Sequence, residues 1–458
     1  MKLTAMRIFC LLSVLIFTNV SFGQDTTKVV IDWLKQNSIP IKYIEAGNGF
    51  SDLQPLKKAW KDVKVIGLGE ATHGTREFFQ MKHRLMEFLV TELGFTDFIL
   101  ESSYSACQTI NDYILTGKGD RATVLTGQGY TAWDTEEFSA IIDWMRAYNK
   151  KVTDKRKIRF HGMDLCFNAV GRDVVLNFLR RHAPGRVAVT DSLFQKLAIE
   201  EVKWPRQLNQ SILQSTFMPL QSLSFFFRIN KQKLIANSSA EEWEKASKYT
   251  KVMEHWVEAN IKDTTLSFLP KPKQGRDEYM IENVRYLLDK AEPNTKFMLW
   301  AHHSHIGANN SFGINIGSYL KQRLGNSYYA LDLDCNEGTF QSRVALPDGK
   351  FGELKTDTIP SGPEQSLSWY LSQVDKSPLF VDFSSIHGNP TVAKWLEKPK
   401  EFTWAGWAYG SDKQHKPTPN HQDVSIKGYF DGVLFVERTT PARPTKNALE
   451  RSTNKIGF

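Results

Sequence analysis

The sequence predicts an α/β fold, with a central, mostly parallel sheet flanked by helices. Short β-rich segments alternate with longer helical patterns, as βαβ units do. One of them, Val65-Ile66-Gly67-Leu68, breaks into glycines and at once presents Glu70 and His73. An open sheet places reactive groups in this way, at the carboxyl end of a strand. Several other apolar segments also end in ionisable residues.

From the N-terminus, residues 1–23 read as a secretory signal. Lys2 and Arg7 form a positive start, Ile8 to Phe17 an apolar core too short to span a bilayer, and Ser21 and Gly23 the small residues before a cut at Gln24. The expected mature protein is residues 24–458, a single α/β domain, periplasmic or secreted and without a stable membrane anchor. The formal net charge is +8, but no basic run interleaves with aromatics, which disfavours nucleic acid as a partner. Cys107, Cys166 and Cys335 are an odd set without CxxC spacing. That is no disulfide framework; one bridge stays open, and burial as a thiol is expected for at least one of them.

Candidate strands are Val63–Leu68, Phe98–Leu100, Ile158–Gly162, Phe297–Ala301, Tyr328–Leu333, Phe380–Phe383 and Gly432–Val436. A helix is expected over Arg76–Leu93, with Phe78, Met81, Leu85, Phe88 and Leu89 on one face and Gly94 ending it. Asp134 with Glu137 reads as a capping box opening a second helix. Residues from about 186 to 270 are polar, lack strand signals and read as a helical insertion, a cap over the sheet's carboxyl edge or ordinary flanking helices.

Four strands run into ionisable groups: Glu70 and His73, Glu101, Asp164, and His302-His303-Ser304-His305. In a parallel sheet these ends lie along one edge, so the groups converge. Lys82 falls inside the apolar stripe of its helix, so it either snorkels outward or pairs with Glu70 or Glu101. No Gly-x-Ser-x-Gly and no His-Glu-x-x-His occurs, which disfavours a nucleophile-elbow hydrolase and a helical zincin. His73 as a general base on water, oriented by Glu70 or Glu101, is one reading, with His302 or His305 holding or polarising an ester carbonyl. A metal held by His73, His302 and His305 with a glutamate is the other. Spacing alone does not separate them, and satisfied strand-end histidines are the bland alternative.

Gly69-Glu70-Ala71-Thr72-His73-Gly74, Lys82, Gly94-Phe95 leading to Glu101, and Trp300-Ala301-His302-His303-Ser304-His305 together resemble the erythromycin esterase family. Gly162-Met163-Asp164, Arg276-Asp277 with Met280 and Asn283, and Phe430-Asp431-Gly432 are further landmarks in order, over about residues 40–440. The resemblance implies a three-layer erythromycin-esterase-like fold and a carboxylic ester hydrolase that opens a macrolide lactone by water attack, with a role in macrolide resistance. It carries the base onto His73, the motif glutamate onto Glu70, the strand-end glutamate onto Glu101, the helix cation onto Lys82, and the paired histidines onto His302 and His305. It implies no cofactor and a small-molecule ester or macrolide as partner. The chain departs from the family at His303, usually asparagine, which adds a candidate metal ligand, and at Lys82, where some members carry arginine. The three histidines with nearby carboxylates make a metal-dependent hydrolase the second reading, acting on another ester or, as similar proteins linked to polysaccharide biosynthesis imply, on a polysaccharide-linked substrate. A related iron- or haem-binding fold makes non-catalytic binding through exposed histidines the third.

Overall fold

The computed structural model describes residues 26–453 except 202, 204–207, 263–274, 312, 347–350, 385, 387 and 411–421. The expected signal segment, residues 1–23, lies outside the described residues. The strands are β1 (Ile39–Pro40), β2 (Val65–Leu68), β3 (Asp97–Ser103), β4 (Arg159–Asp164), β5 (Phe297–Trp300), β6 (Tyr328–Ala345), β7 (Phe351–Ile359), β8 (Leu379–Asp382), β9 (Pro399–Phe402), β10 (Ala408–Gly410), β11 (Gln422–Ser425) and β12 (Gly432–Thr439). One ten-stranded sheet runs in the order β1-β8-β12-β6-β2-β5-β3-β4, with β7 and β10 both on β6. From β12 to β4 every neighbour along that path is parallel. The turn-back strands β1, β7 and β8 are antiparallel to their partners.

Alternate residues of the central strands supply two separate cores, as the two-residue strand period requires. Ile66, Leu68, Phe98, Leu100, Met298, Trp300, Leu331 and Leu434 pack with the helices Arg76–Leu93, Cys107–Thr116 and Glu136–Asn149. Val65, Ile99, Phe297, Leu299, Ala330 and Val433 pack on the other face with Thr26–Asn37, Arg276–Lys290 and Ile316–Leu324. The sheet is thus a middle layer with helices on both sides. Because both faces are covered, the strands read as apolar runs in the sequence.

All seven expected strands are present, some longer than expected. β6 runs on to Ala345 instead of ending at Leu333, because its far half leaves the sheet centre to pair with β7. The helix Arg76–Leu93 ends as expected at Gly94, whose φ of 73° needs a residue without a side chain. The expected cap at Asp134 is not the cap. Thr135, extended at φ −121° and ψ 160°, puts its own hydroxyl on the Phe138 N–H, while Asp134 accepts from Thr126, Thr445 and Arg451. Glu137 binds Arg443.

The described part of the expected insertion is helical: Val187–Glu201, Gln210–Ile229, Lys231–Ala236 and Ala240–Asn260. With Ala169–His182 these helices close on a third core, in which Phe167, Phe194 and Trp256 meet beyond the end of β4. Cys107, Cys166 and Cys335 are free and buried, so the bridge left open by the sequence does not form. No described helix is long and apolar enough to cross a membrane.

The bend after β2 is fixed by backbone approach at Gly74, whose carbonyl accepts from the Gln341 and Ala442 N–H groups at 2.9 and 2.8 Å. A Cβ on Gly74 would lie 1.8 Å from the Gln341 carbonyl oxygen. Gly74→Ala is therefore expected to lower stability by about 2 kcal/mol or more, as overpacking against rigid backbone does. Urea unfolding of the variant beside wild type checks it, and an unchanged midpoint would contradict this account.

Candidate active site

The order β2-β5-β3-β4 puts the carboxyl ends of four parallel strands side by side. Directly after β2, the Glu70 side chain is fully buried. Its Oε2 accepts from Lys82 Nζ at 2.9 Å and Trp300 Nε1 at 3.0 Å. Its Oε1 accepts from His73 Nδ1 at 2.8 Å. Lys82 has no exposed surface, so it does not snorkel; its ammonium lies between Glu70 and the face of Trp300, 4.4 Å from the ring centre. Burial pulls the Lys82 pKa down to about 8, against the opposing charge of Glu70. The Glu70 carbonyl also accepts from the His303 N–H at 3.0 Å, joining the ends of β2 and β5.

Glu101 lies within β3 where the ladder to β4 shifts register, between Leu100 and Ser103. Such an irregularity re-aims a side chain, and the Glu101 carbonyl here accepts from Trp133 Nε1 at 3.0 Å. The carboxylate takes Arg276 Nη2 at 2.9 Å and His305 Nε2 at 3.2 Å on Oε1, and the His302 N–H at 2.9 Å on Oε2. Burial works to raise its pKa, yet His305, Arg276 and His73 hold it well below the usual carboxylate range. Asp164, at the end of β4, receives Arg276 through Nε at 2.9 Å and Nη2 at 2.6 Å, and the Tyr130 hydroxyl at 2.6 Å.

The two predicted histidines of the β5 loop are in opposite states. His305 is held between Asp277 on Nδ1 at 2.6 Å and Glu101 on Nε2. Burial opposes its charge, but the two carboxylates lift its pKa to about 10. His302 is pushed well below its ordinary value by burial and by the neighbouring His303 and His73. His302 Nδ1 meets the Ser304 N–H at 3.3 Å and the Ser304 hydroxyl at 2.8 Å; accepting from both, it leaves the proton of the neutral ring on Nε2. That Nε2 is buried and meets no partner among the described residues. The rings of His73 and His302 are 5.3 Å apart between centres, and Trp133 stands edge-on to His73 at 5.2 Å and Trp404 to His302 at 5.2 Å. His303 packs beside Trp404 and lies 3.4 Å from the buried Asp332.

All six predicted site residues, Glu70, His73, Lys82, Glu101, His302 and His305, thus meet at one sheet edge. Lys82 pairs with Glu70, one of the two carboxylates expected for it, and not with Glu101. His161, next to the third strand end, belongs elsewhere and binds Asp97 at 2.8 Å. Asp164, expected among the converging strand ends, joins the cluster; sequence reasoning missed Tyr130 and Trp133, and it marked Arg276, Asp277 and Trp300 only as motif positions without a role. Arg276-Asp277 had a signal, as charged residues opening a helix, but that pattern also describes any solvated helix start. The expected exposed histidines are not exposed: His302 and His303 are 5% and 1% accessible. Nor do the histidines share a metal-binding point. Both His305 nitrogens face carboxylates, and among the described residues no three His, Cys, Asp or Glu groups are arranged to hold an ion.

The sequence profile of the erythromycin esterase family matches residues 90–439. The chain is 25% identical over 377 residues to the erythromycin esterase type II of Escherichia coli, covering 78% of this chain and 89% of that one. It is 24% identical over 442 residues to the Bacillus subtilis (strain 168) protein YbfO, named as a hydrolase, covering 90% and 91%. A solved structure titled as a succinoglycan biosynthesis protein superposes with a TM-score of 0.75 at 25% identity, over 92% of this chain and 100% of that one. The chain belongs to the erythromycin esterase family, and that membership points to a hydrolase.

The His305 ion pairs have a pH signature. A histidine whose folded pKa is raised to about 10 adds stability that is complete below the unfolded value of 6.5 and is lost as pH climbs toward 10. Glu201, raised to about 7, and Lys82, lowered to about 8, give their own slopes below and above the interval between those values. Between pH 7 and 8 the stability advantage of wild type over His305→Asn is expected to shrink by about 1.4 kcal/mol per unit. Urea unfolding of both proteins at several pH values measures it, and a constant gap would remove the charged His305.

Proposed function

We propose that this member of the erythromycin esterase family hydrolyses a carboxylic ester or macrolide lactone, with His73 as general base on water. The observation that carries the proposal is the pair His73 Nδ1 to Glu70 Oε1 at 2.8 Å. An imidazole that donates through Nδ1 to a carboxylate presents the lone pair of Nε2 as the base. His73 is 12% accessible at its side chain, so that edge reaches the cleft while Glu70 stays dry.

In this reading a water on His73 Nε2 attacks the ester carbonyl as its proton passes to the imidazole. Glu70, pinned by Lys82 and Trp300, steadies the imidazolium. His302 Nε2–H, neutral and unpartnered, donates to the developing oxyanion. His305, Arg276 and Glu101 fix the β5 loop and set the charge around it. The imidazolium then returns its proton to the leaving alkoxide, so no covalent enzyme intermediate is needed. Lys82 and Glu101 are positioning residues; His73 and His302 touch the reacting atoms.

The substrate has two supported classes. The Escherichia coli relative is named for erythromycin, which supports a macrolide lactone and a part in macrolide resistance. The solved succinoglycan biosynthesis protein supports an ester carried on a polysaccharide. Incubation with macrolides, simple esters and acylated polysaccharide, read by mass for the addition of water, separates them; no product from any would defeat the hydrolase reading.

Removing the base by His73→Ala is expected to lower kcat/KM by about 10²-fold or more in a protein that still folds, with a lower unfolding midpoint because the buried Glu70 Oε1 loses its partner. Full activity on every ester that wild type cleaves would rule out this base. Lys82 gives a second test through pH. Its ammonium, with a pKa of about 8, loses its proton on the alkaline side and leaves Glu70 without its counter-charge. Wild-type kcat is expected to fall as pH rises through that value. Lys82→Arg keeps the charge and moves the alkaline limb upward, while Lys82→Met is weak throughout. Superimposable profiles for wild type and Lys82→Arg would exclude Lys82 as the source of the limb.

A further inference from the structure

The described residues leave few large apolar side chains exposed, and these are unevenly placed. Val189, Ile199, Met218, Phe225 and Ile229 lie in two neighbouring helices of the insertion, Val187–Glu201 and Gln210–Ile229; only Ile314 and Leu449 lie elsewhere. The longer helix has 20 residues and so runs about 30 Å. Its inner stripe, Leu213, Phe217, Leu220, Leu223 and Phe227, is buried in the third core. Met218, Phe225 and Ile229 recur at helical spacing on the opposite side, 57%, 49% and 62% accessible. A helix that has already satisfied its inner face gains nothing from a second apolar stripe in water, and such stripes mark contact surfaces.

On the longer helix and the turn that follows it, the charge has one sign. From Gln210 to Ala236 the chain carries Arg228, Lys231 and Lys233 and no acidic residue. Arg228 lies over the Phe225 ring and Lys231 over the Trp243 ring, at 5.1 and 4.7 Å, so apolar and cationic groups form one surface. A groove of about 840 Å³ between this helix and Ala240–Asn260 runs beside it, lined by Phe225, Arg228, Trp243 and Lys251 among others. Of the five acids on the facing helix, Glu254 is buried and bound by Ser224 and Lys251 at 2.5 and 2.7 Å, Glu242 is paired with Arg181 and Glu244 with Lys290.

We propose that this face of the insertion docks on a membrane surface bearing anionic lipid headgroups. Ser222 separates Met218 from Phe225, and Phe225 and Ile229 adjoin one turn apart. A narrow apolar stripe edged by cations on a helix lying in the surface plane suits insertion among acyl chains. Cations at the edge of an apolar stripe sit at headgroup depth, where each adds attraction to an anionic leaflet. None of the described side-chain contacts of residues 187–260 reaches His73, His302, His305 or Glu101, so docking leaves the sheet edge free to work.

The test is sedimentation of the full chain with vesicles of phosphatidylcholine alone and of phosphatidylcholine with phosphatidylglycerol, at low and high salt. Binding to the anionic vesicles is expected to exceed binding to the neutral ones by about tenfold and to weaken with salt. The triple variant Met218→Ser, Phe225→Ser, Ile229→Ser should lose about tenfold in binding, with its unfolding midpoint and its hydrolysis of a soluble ester unchanged. Arg228→Gln with Lys231→Gln should lose the salt-dependent part. Absence of binding to anionic vesicles, or a triple variant that sediments like wild type, overturns the proposal. So does self-association that the triple variant abolishes without any vesicle binding, which would give the face to a second copy of the chain.

Discussion

The structure of this site depends on one buried carboxylate. A lysine ammonium with no access to water, as at Lys82, costs several kcal/mol unless a counter-charge and hydrogen bonds replace its hydration. Glu70 is that counter-charge, and the arrangement is reciprocal, because Glu70 is equally dry. Each of its oxygens is engaged: Oε2 by Lys82 and Trp300, Oε1 by His73. The His73 ring is therefore oriented by a group that is itself immobile. Through its main-chain carbonyl the same residue holds the start of the β5 loop, so the positions of His73 and His302 are set from one point. Arginine in place of Lys82, which the resemblance leads one to expect in some relatives, would put a planar fork against the same carboxylate.

A second carboxylate, Glu101, performs the complementary task on the other half of the cleft. Three bases of the same chemical type lie within one loop and receive different environments. His305 has a carboxylate on each nitrogen and is held as a cation. His302 has burial, two neighbouring imidazoles and a backbone N–H on its Nδ1, and is held neutral. Environments that drive like groups apart in pKa are how a site assigns acid, base and electrostatic roles without changing residue type. Here the division is produced by which strand end each ring meets, which is a property of the β2-β5-β3-β4 order.

Much of this was legible in the sequence, for physical reasons. Strands covered on both faces must be apolar on both faces, so β2, β3, β5 and β12 stood out as short hydrophobic runs. β7, β9, β10 and β11 did not, because pairing outside the double-covered centre asks for no such run; β7 reads FGELKTDTI, with polar residues throughout. The site's glutamates and histidines were visible because they sit directly after those runs. Arg276 was not visible in the same way. It comes from the start of a helix after the insertion and binds Glu101 and Asp164 over sequence separations of 175 and 112 residues. Nothing local distinguishes it from a solvated arginine. Asp134 failed for a finer reason: side-chain direction at an extended Thr135 decided the cap, and spacing alone is blind to that.

The helix Arg276–Lys290 shows how the insertion is joined to the sheet edge. Its first residues supply Arg276 and Asp277 to Glu101, Asp164 and His305. One turn on, Tyr279 turns into the insertion's own core and stacks on His255, 4.4 Å between ring centres. Asn283 then ties the helix back to β4 through the Met163 carbonyl, and accepts Lys248 of the insertion on its other end. The link between the insertion and the sheet edge runs through Arg276–Lys290, through Tyr104 after β3, which meets Tyr249 and Lys248, and through Phe167 after β4. Glu70, Lys82 and Trp300 make no described contact with residues 187–260. All three links meet the β3 and β4 side of the sheet edge, where Glu101 and Asp164 lie, and not the Glu70–His73 pair.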